Sequence, residues 1–256
     1  MKDSKPGDTP VAKGDKFSLK QCPKNDLKRT EIQKIPYASV VGSLMYAQVC
    51  THPDIAFIVG ILGRYSSNRG MQHWKAAKRV MRYLKRTKDY MITYRRSDSL
   101  EIIGFSDSDF AGCQESRRST SGYIFMLGEG VISWKSAKQT LIASSTTVAE
   151  FIACFEASNH GIWLRNFVTG LRVVDSIDRP LKIYCDNNSA VLYSNNNRSS
   201  TKSKFIDIKF LVVKERVQNK QISVVPVKRR VSSPLTNKIH VVAHFLVSSF
   251  ILHPNR

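Results

Sequence analysis

The chain has 256 residues, 40 of them Lys or Arg against 20 Asp or Glu, a net charge of +20. That excess excludes a preference for cationic partners and points to polyanions, nucleic acid before an anionic membrane surface. The five cysteines, Cys22, Cys50, Cys113, Cys154 and Cys185, are far apart and odd in number, which excludes a disulfide framework or a closely spaced zinc motif and suits a reducing compartment.

Residues 1–30 are polar and Lys-rich, punctuated by Pro6, Gly7, Pro10, Gly14 and Pro23, and read as a disordered or extended leader. No apolar stretch opens the chain, so no secretory signal is expected. Tyr37 to Gln48 has a helical pattern. Pro53 suits the first turn of a second apolar helix, Asp54 to Tyr65, which Asn68-Arg69-Gly70 stops. From His73 to Arg86 the pattern is amphipathic. Ala77, Val80, Met81 and Leu84 form one face, and Lys75, Lys78, Arg79, Arg82, Lys85 and Arg86 the other. Lys75, Lys78 and Arg82 are candidate contacts to a nucleic-acid backbone; the alternative is a solvated surface helix.

Met91 to Tyr94 and Glu101 to Phe105 read as strands. Ser121 to Leu127 is another, and a turn at Gly128-Glu129-Gly130 leads into Val131 to Trp134. Three consecutive strands from Glu101 predict an antiparallel meander. A helix follows over Thr147 to Val168, with Ser144, Ser145 and Thr146 as capping candidates and Phe151, Cys154, Phe155, Ile162 and Trp163 as core. Leu181 to Cys185 is a buried strand, Ser189 to Tyr193 a short helix, Ser199 to Lys204 a polar loop, Ile206 to Asn219 a helix and Ile222 to Val227 a last strand. This order predicts a mixed five-stranded α/β layer with flanking helices. The late apolar run Val241 to Leu252 is broken by His244, Ser248 and Ser249. It falls short of the roughly 20 residues that span a bilayer, so no membrane association is expected.

Three acids stand out on this map. Asp107 follows the first meander strand, Glu150 lies in the first turn of the long helix, and Asp186 ends the fourth strand. Carboxylates gathered there repel one another unless divalent cations lie between them. Hard cations such as Mg²⁺ take oxygen ligands, so the pattern predicts a metal-dependent phosphodiester site. Asp109 is a near alternative on the same strand end, or a turn former, as is Asn187.

Long phrases carry a resemblance. They are Pro-Tyr-Ala-Ser-Val-Val-Gly-Ser-Leu-Met-Tyr-Ala (36–47), Arg-Arg-Ser-Thr-Ser-Gly-Tyr-Ile-Phe (117–125), Ile-Ser-Trp-Lys-Ser-Ala-Lys-Gln (132–139), Tyr-Cys-Asp-Asn (184–187) and Ile-Asp-Ile-Lys-Phe (206–210). Over residues 30–240 the chain resembles the C-terminal part of copia-type LTR retrotransposon Pol polyproteins of plants. Residues 31–96 resemble the helical thumb and connection end of a reverse transcriptase, residues 101–236 its RNase H domain, and residues 237–256 form a divergent tail. The resemblance implies an RNase H-like fold and hydrolysis of RNA in RNA–DNA hybrids with two Mg²⁺, for which Mn²⁺ can substitute. It implies that Asp107, Glu150 and Asp186 are catalytic metal ligands. Ser144, Ser145, Thr146 and Asn188 fall where relatives contact the hybrid. Other parts of the polyprotein are implied partners, with no small-molecule cofactor and a cytoplasmic or nuclear location.

The match departs from the family at the fourth carboxylate. Ser232-Ser233-Pro234-Leu235-Thr236-Asn237 puts Ser233 where the family has Asp, and no Asp or Glu follows Glu215 in the chain. Val148 and Phe205 replace an acid and a His usual in the family. The expectation is therefore a weak or inactive nuclease, with a non-catalytic basic nucleic-acid-binding module or a decayed transposon fragment as the alternative.

Overall fold

The computed structural model describes residues 4–12, 14–92, 94, 100–128, 130–172, 180–195 and 204–227. Helices come first: α1 (Asp26–Gln33), α2 (Tyr37–Cys50), α3 (Ala56–Gly63) and α4 (Met71–Arg86). The Asn25 side chain caps α1 by accepting the Lys28 N–H at 3.2 Å. Pro53 opens a 3₁₀ turn, Pro53–Ile55, that leads into α3, as its missing N–H favours. The helices bury Tyr37, Val41, Ile58, Leu62, Ala77 and Val80 in one apolar cluster. Inside it the Tyr37 hydroxyl donates to the Leu62 carbonyl at 2.8 Å, which satisfies a polar atom that burial would otherwise penalise.

The leader is extended up to a 3₁₀ turn at Leu19–Gln21, but it is packed rather than solvated. Val11 enters the helical core, and the Gly7 N–H donates to the Arg82 carbonyl at 3.0 Å. Asp8 pairs with Arg86 and Asp15 with Arg79, while Lys85 Nζ donates to the Ser4 carbonyl at 2.9 Å. Disorder, one of the two states expected for residues 1–30, is thus not what the described part shows. Its acids match the basic face of α4, and α1 already begins within it.

The sheet follows: β1 (Ile102–Asp109), β2 (Thr120–Leu127), β3 (Gly130–Lys138), then α5 (Thr146–Gly170), β4 (Leu181–Cys185), α6 (Asn188–Asn195), α7 (Lys204–Gln218) and β5 (Ile222–Pro226). The strand order is β3-β2-β1-β4-β5. β1, β2 and β3 form the expected antiparallel meander, and β4 and β5 add in parallel beyond β1. The predicted fold class, a mixed five-stranded sheet with flanking helices and a helical unit before it, is the one found.

Both faces of the sheet are covered. Tyr123 and Phe125 point to the α5 side, where Leu164, Leu181, Ile183 and Phe210 join them. Ile124 and Met126 point the other way, to Phe105 and to Ala56 of α3. Burial on both faces explains why β2 reads as a continuous apolar run rather than an alternation.

Met91, Ile92 and Tyr94 form no strand. The Tyr94 ring instead lies over Gly130, and its hydroxyl donates to the Val131 carbonyl at 2.8 Å. The residue covers the start of β3 with its side chain instead of extending the ladder. Trp163, expected in the core, is 57% exposed and stacks on Phe167. It lies on the outer side of α5, whose inner side is taken by Gly161 and Leu164. A Cβ on Gly161 would lie 2.4 Å from Leu181 Cδ2 and 2.8 Å from the Phe125 ring. Gly161→Val is therefore expected to cost about 1–3 kcal/mol by overpacking. A thermal melt at the parent's temperature would refute that.

Candidate metal centre

β1 and β4 are parallel neighbours with Ser106 opposite Cys185. Asp107 and Asp186 each come one residue later, at corresponding places on adjacent strands. Glu150 lies one residue beyond the first turn of α5, not within it, because the helix starts at Thr146. Ser145 caps that helix by accepting the Val148 N–H at 3.3 Å, which fixes where α5 begins and so where Glu150 falls.

The Ser108 backbone N–H donates to Asp107 Oδ1 at 2.8 Å and to Glu150 Oε1 at 3.0 Å. The Ser108 hydroxyl donates to the same Glu150 oxygen at 2.8 Å. One residue thus ties two carboxylates together without neutralising either. On the other side, Glu150, Cys185 and Asp186 bring a ligand atom each within 4.8 Å of one another. Asp107 and Glu150 are buried, while Asp186 is exposed, so the cluster runs from the interior to the surface. Sequence reasoning missed Ser108 and Cys185. Cys185 lies inside a quoted motif and Ser108 lies between the two strand-end acids Asp107 and Asp109, but only packing shows that they touch Glu150.

Burial pushes the Glu150 carboxyl far above the ordinary carboxylate range, and the charges of Asp107, Cys185 and Asp186 push it further, against the opposing Ser108 hydrogen bond. The Cys185 thiol is pushed up as well, first by its hydrogen bond with Cys154 and then by burial. A thiol is in any case a soft donor, less suited to a hard cation than carboxylate oxygen. The available donors are then carboxylate oxygens, a set that fits a hard divalent cation such as Mg²⁺ or Mn²⁺. A cation there would offset the burial and the neighbouring charges that raise the Glu150 carboxyl.

Asp109 serves the β1–β2 connection: its Oδ1 accepts from Gly112 N–H at 3.0 Å and Thr120 N–H at 3.4 Å. Asn187 Oδ1 accepts the Ala190 N–H at 3.0 Å and so caps α6. Both act as turn formers. Ser144, Ser145 and Thr146 are exposed at the start of α5, and Asn188 is exposed at the start of α6. Those two helix starts are also the segments that carry Glu150 and follow Asp186. Lys75 and Arg82 are exposed on α4, and Lys78 lies 5.7 Å from the centre of the Trp74 ring. α4 packs mainly on α2 and α3, so the structure does not gather these three with the carboxylates. Ser233 lies outside the described residues, as does the tail at 237–256.

Fold and site together define a class: a mixed α/β protein with an acidic cluster, able to hold a metal ion, at the ends of adjacent parallel strands. No protein-family model matches the chain. It is 39% identical over 227 residues to the retrovirus-related Pol polyprotein from transposon TNT 1-94 of Nicotiana tabacum, over 89% of this chain and 17% of that one. It is 45% identical over 133 residues to secreted RxLR effector protein 161 of Plasmopara viticola, over 52% of this chain and 94% of that protein. Among solved structures, LC11-RNase H1 isolated from compost is similar with a TM-score of 0.41 at 18% identity, over 58% of this chain and 93% of that one. The chain belongs to the retrovirus-related Pol polyproteins of copia-type transposons. It spans about a sixth of the length of those relatives. No helix among the described residues is long and apolar enough to cross a membrane.

Proposed function

We propose that this chain is the RNase H part of a copia-type Pol polyprotein, built to hydrolyse RNA in RNA–DNA hybrids and weakened or inactivated in this copy. The carboxylates at Asp107, Glu150 and Asp186 carry the reading, since Ser108 and the β1–β4 register gather them at one place. They would hold Mg²⁺ or Mn²⁺, which when bound supplies water activation and neutralises phosphoryl charge. Ser108 orients Glu150 toward Asp107. Asp186, at the exposed rim, meets the scissile phosphate side of the site. Ser144, Ser145, Thr146 and Asn188 contact the hybrid's backbone next to the carboxylates, reading shape and 2′-hydroxyls rather than bases. Lys75, Lys78 and Arg82 hold phosphates farther out. A cytoplasmic or nuclear location, with other Pol segments as partners, goes with this role.

Ser233 at the place of a fourth carboxylate carries the second half of the reading, because a hydroxyl binds Mg²⁺ far less well than a carboxylate. It also favours the rival reading, a basic module that binds nucleic acid without cutting it. Cleavage of a labelled RNA–DNA hybrid by the parent, Asp186→Asn and Ser233→Asp decides between them. The nuclease reading expects slow or absent cutting by the parent, a gain in Ser233→Asp of roughly tenfold or more, and loss in Asp186→Asn. Binding with no cleavage by any folded variant, in Mg²⁺ or Mn²⁺, would establish the non-catalytic module instead.

A further inference from the structure

The notch between the Leu19–Gln21 turn, α1 and the turn joining α3 to α4 is cationic. Two adjoining cavities there, of about 260 and 460 Å³, share Pro23 and Ile32 as a common wall. Arg29 and Arg69 line the first and Lys20, Lys24 and Lys28 the second, against a single acid, Glu31, among the described lining residues.

Arg69, in the lining of the first cavity, holds an unmet donor. Its Nε is buried without a hydrogen-bond partner, and its terminal nitrogens reach the Ser66 and Gln33 carbonyls only at 3.4 Å each. Among the described residues no carboxylate pairs with it. Arg29 meets Asp26 at 3.6 Å, but the Asp26 side chain is 97% exposed, where solvent screens the pair. α4 starts next to Arg69 with no acid in its first turn, so the positive end of its helix dipole opens here too. Gly70 permits this closeness: a Cβ there would lie 1.8 Å from the Gln21 carbonyl oxygen.

The basic face of α4 differs. Asp8 and Asp15 of the leader already pair with Arg86 and Arg79. In the notch the only ion pair among the described residues is the looser, solvent-exposed Arg29–Asp26 contact. The notch is also tied to the metal centre's strand: the Leu19 N–H donates to Glu115 Oε1 at 2.6 Å, in the connection that leaves β1.

We propose that this notch binds the phosphodiester backbone of a nucleic-acid strand, holding a stretch of substrate outside the carboxylate centre. The inference rests on the nucleic-acid reading above. A guanidinium whose terminal nitrogens make only long contacts, set in a concave basic site, matches phosphate oxygens in geometry as well as in charge.

The test is fluorescence anisotropy of a labelled RNA–DNA hybrid with the full chain across a salt series, with EDTA present to keep the substrate intact. Arg29→Gln/Arg69→Gln is expected to weaken binding roughly tenfold near 0.1 M salt and to lower the slope of log affinity against log salt by about two. Lys24→Gln/Lys28→Gln, at exposed positions, is expected to move both in the same direction and decides the matter if the arginine variant does not fold. The control, Lys88→Gln/Lys220→Gln, removes the same charge from exposed positions elsewhere and should leave the slope near the parent's. Groove variants that match this control while the parent binds would overturn the notch and leave the nucleic-acid reading standing. A parent that binds no hybrid would overturn both.

Discussion

Without divalent cations, Glu150→Gln is expected to melt several degrees above the parent at pH 8 and close to it near pH 4. The folded state raises the Glu150 pKa above its ordinary value of 4.5, chiefly by burial and then by the charges of Asp107, Cys185 and Asp186. A carboxyl raised in this way binds its proton more tightly folded than unfolded. Its contribution to stability is complete below the unfolded pKa and is lost as pH rises toward the folded one. Parent stability in EDTA should accordingly decline from about pH 4.5 upward. Glutamine is neutral at every pH and keeps an oxygen for the Ser108 donors, so the decline should flatten. The difference between the two proteins isolates Glu150 from Asp109 and Glu156, whose carboxyls burial also raises. Added Mg²⁺ should then stabilise the parent at pH 8 by mass action, about 2.7 kcal/mol at a hundredfold excess over Kd, and the variant by less. Parallel melting profiles in EDTA would show that Glu150 is not held in a repelling cluster.

Phe125→Ala is expected to cost about 3–5 kcal/mol, the largest loss of stability from any one truncation in the sheet domain. The ring is fully buried and fills space left by two glycines, Gly104 on β1 and Gly161 on α5. A Cβ on Gly104 would lie 2.5 Å from its edge and one on Gly161 2.8 Å away. Removing the ring leaves a cavity between a strand and a helix that are already close, so neither can move in to fill it. Denaturant unfolding would report the loss as a fall in midpoint at unchanged slope. A loss under about 1 kcal/mol would mean that the helix settles onto the sheet.

Much of this was legible in the sequence. Leu181–Cys185 matched to the residue, and the meander and the long helix matched within a few residues, because strand runs and amphipathic periods are local signals. The three acids were legible for the same reason, since each ends or opens a local element. Met91–Tyr94 was misread because Met-Ile-Thr-Tyr fits a strand by residue type, and only the position of Gly130 shows that Tyr94 covers an edge. Trp163 was misread because composition cannot tell which side of a helix faces the sheet. That side was set by Gly161, whose missing side chain lets α5 approach.

The sequence by itself determined most of the elements, the net charge and where the acids stand along the chain. These depend on residue type and on neighbours along the chain. The tertiary structure decided what depends on distance between remote residues. Ser108 became the tie between Asp107 and Glu150 only when α5 crossed β1. The leader's acids reached Arg79 and Arg86 only when it folded back over α4, and among the described residues no carboxylate came to pair with Arg69. Charge in a sequence gives a total; folding decides which charges cancel.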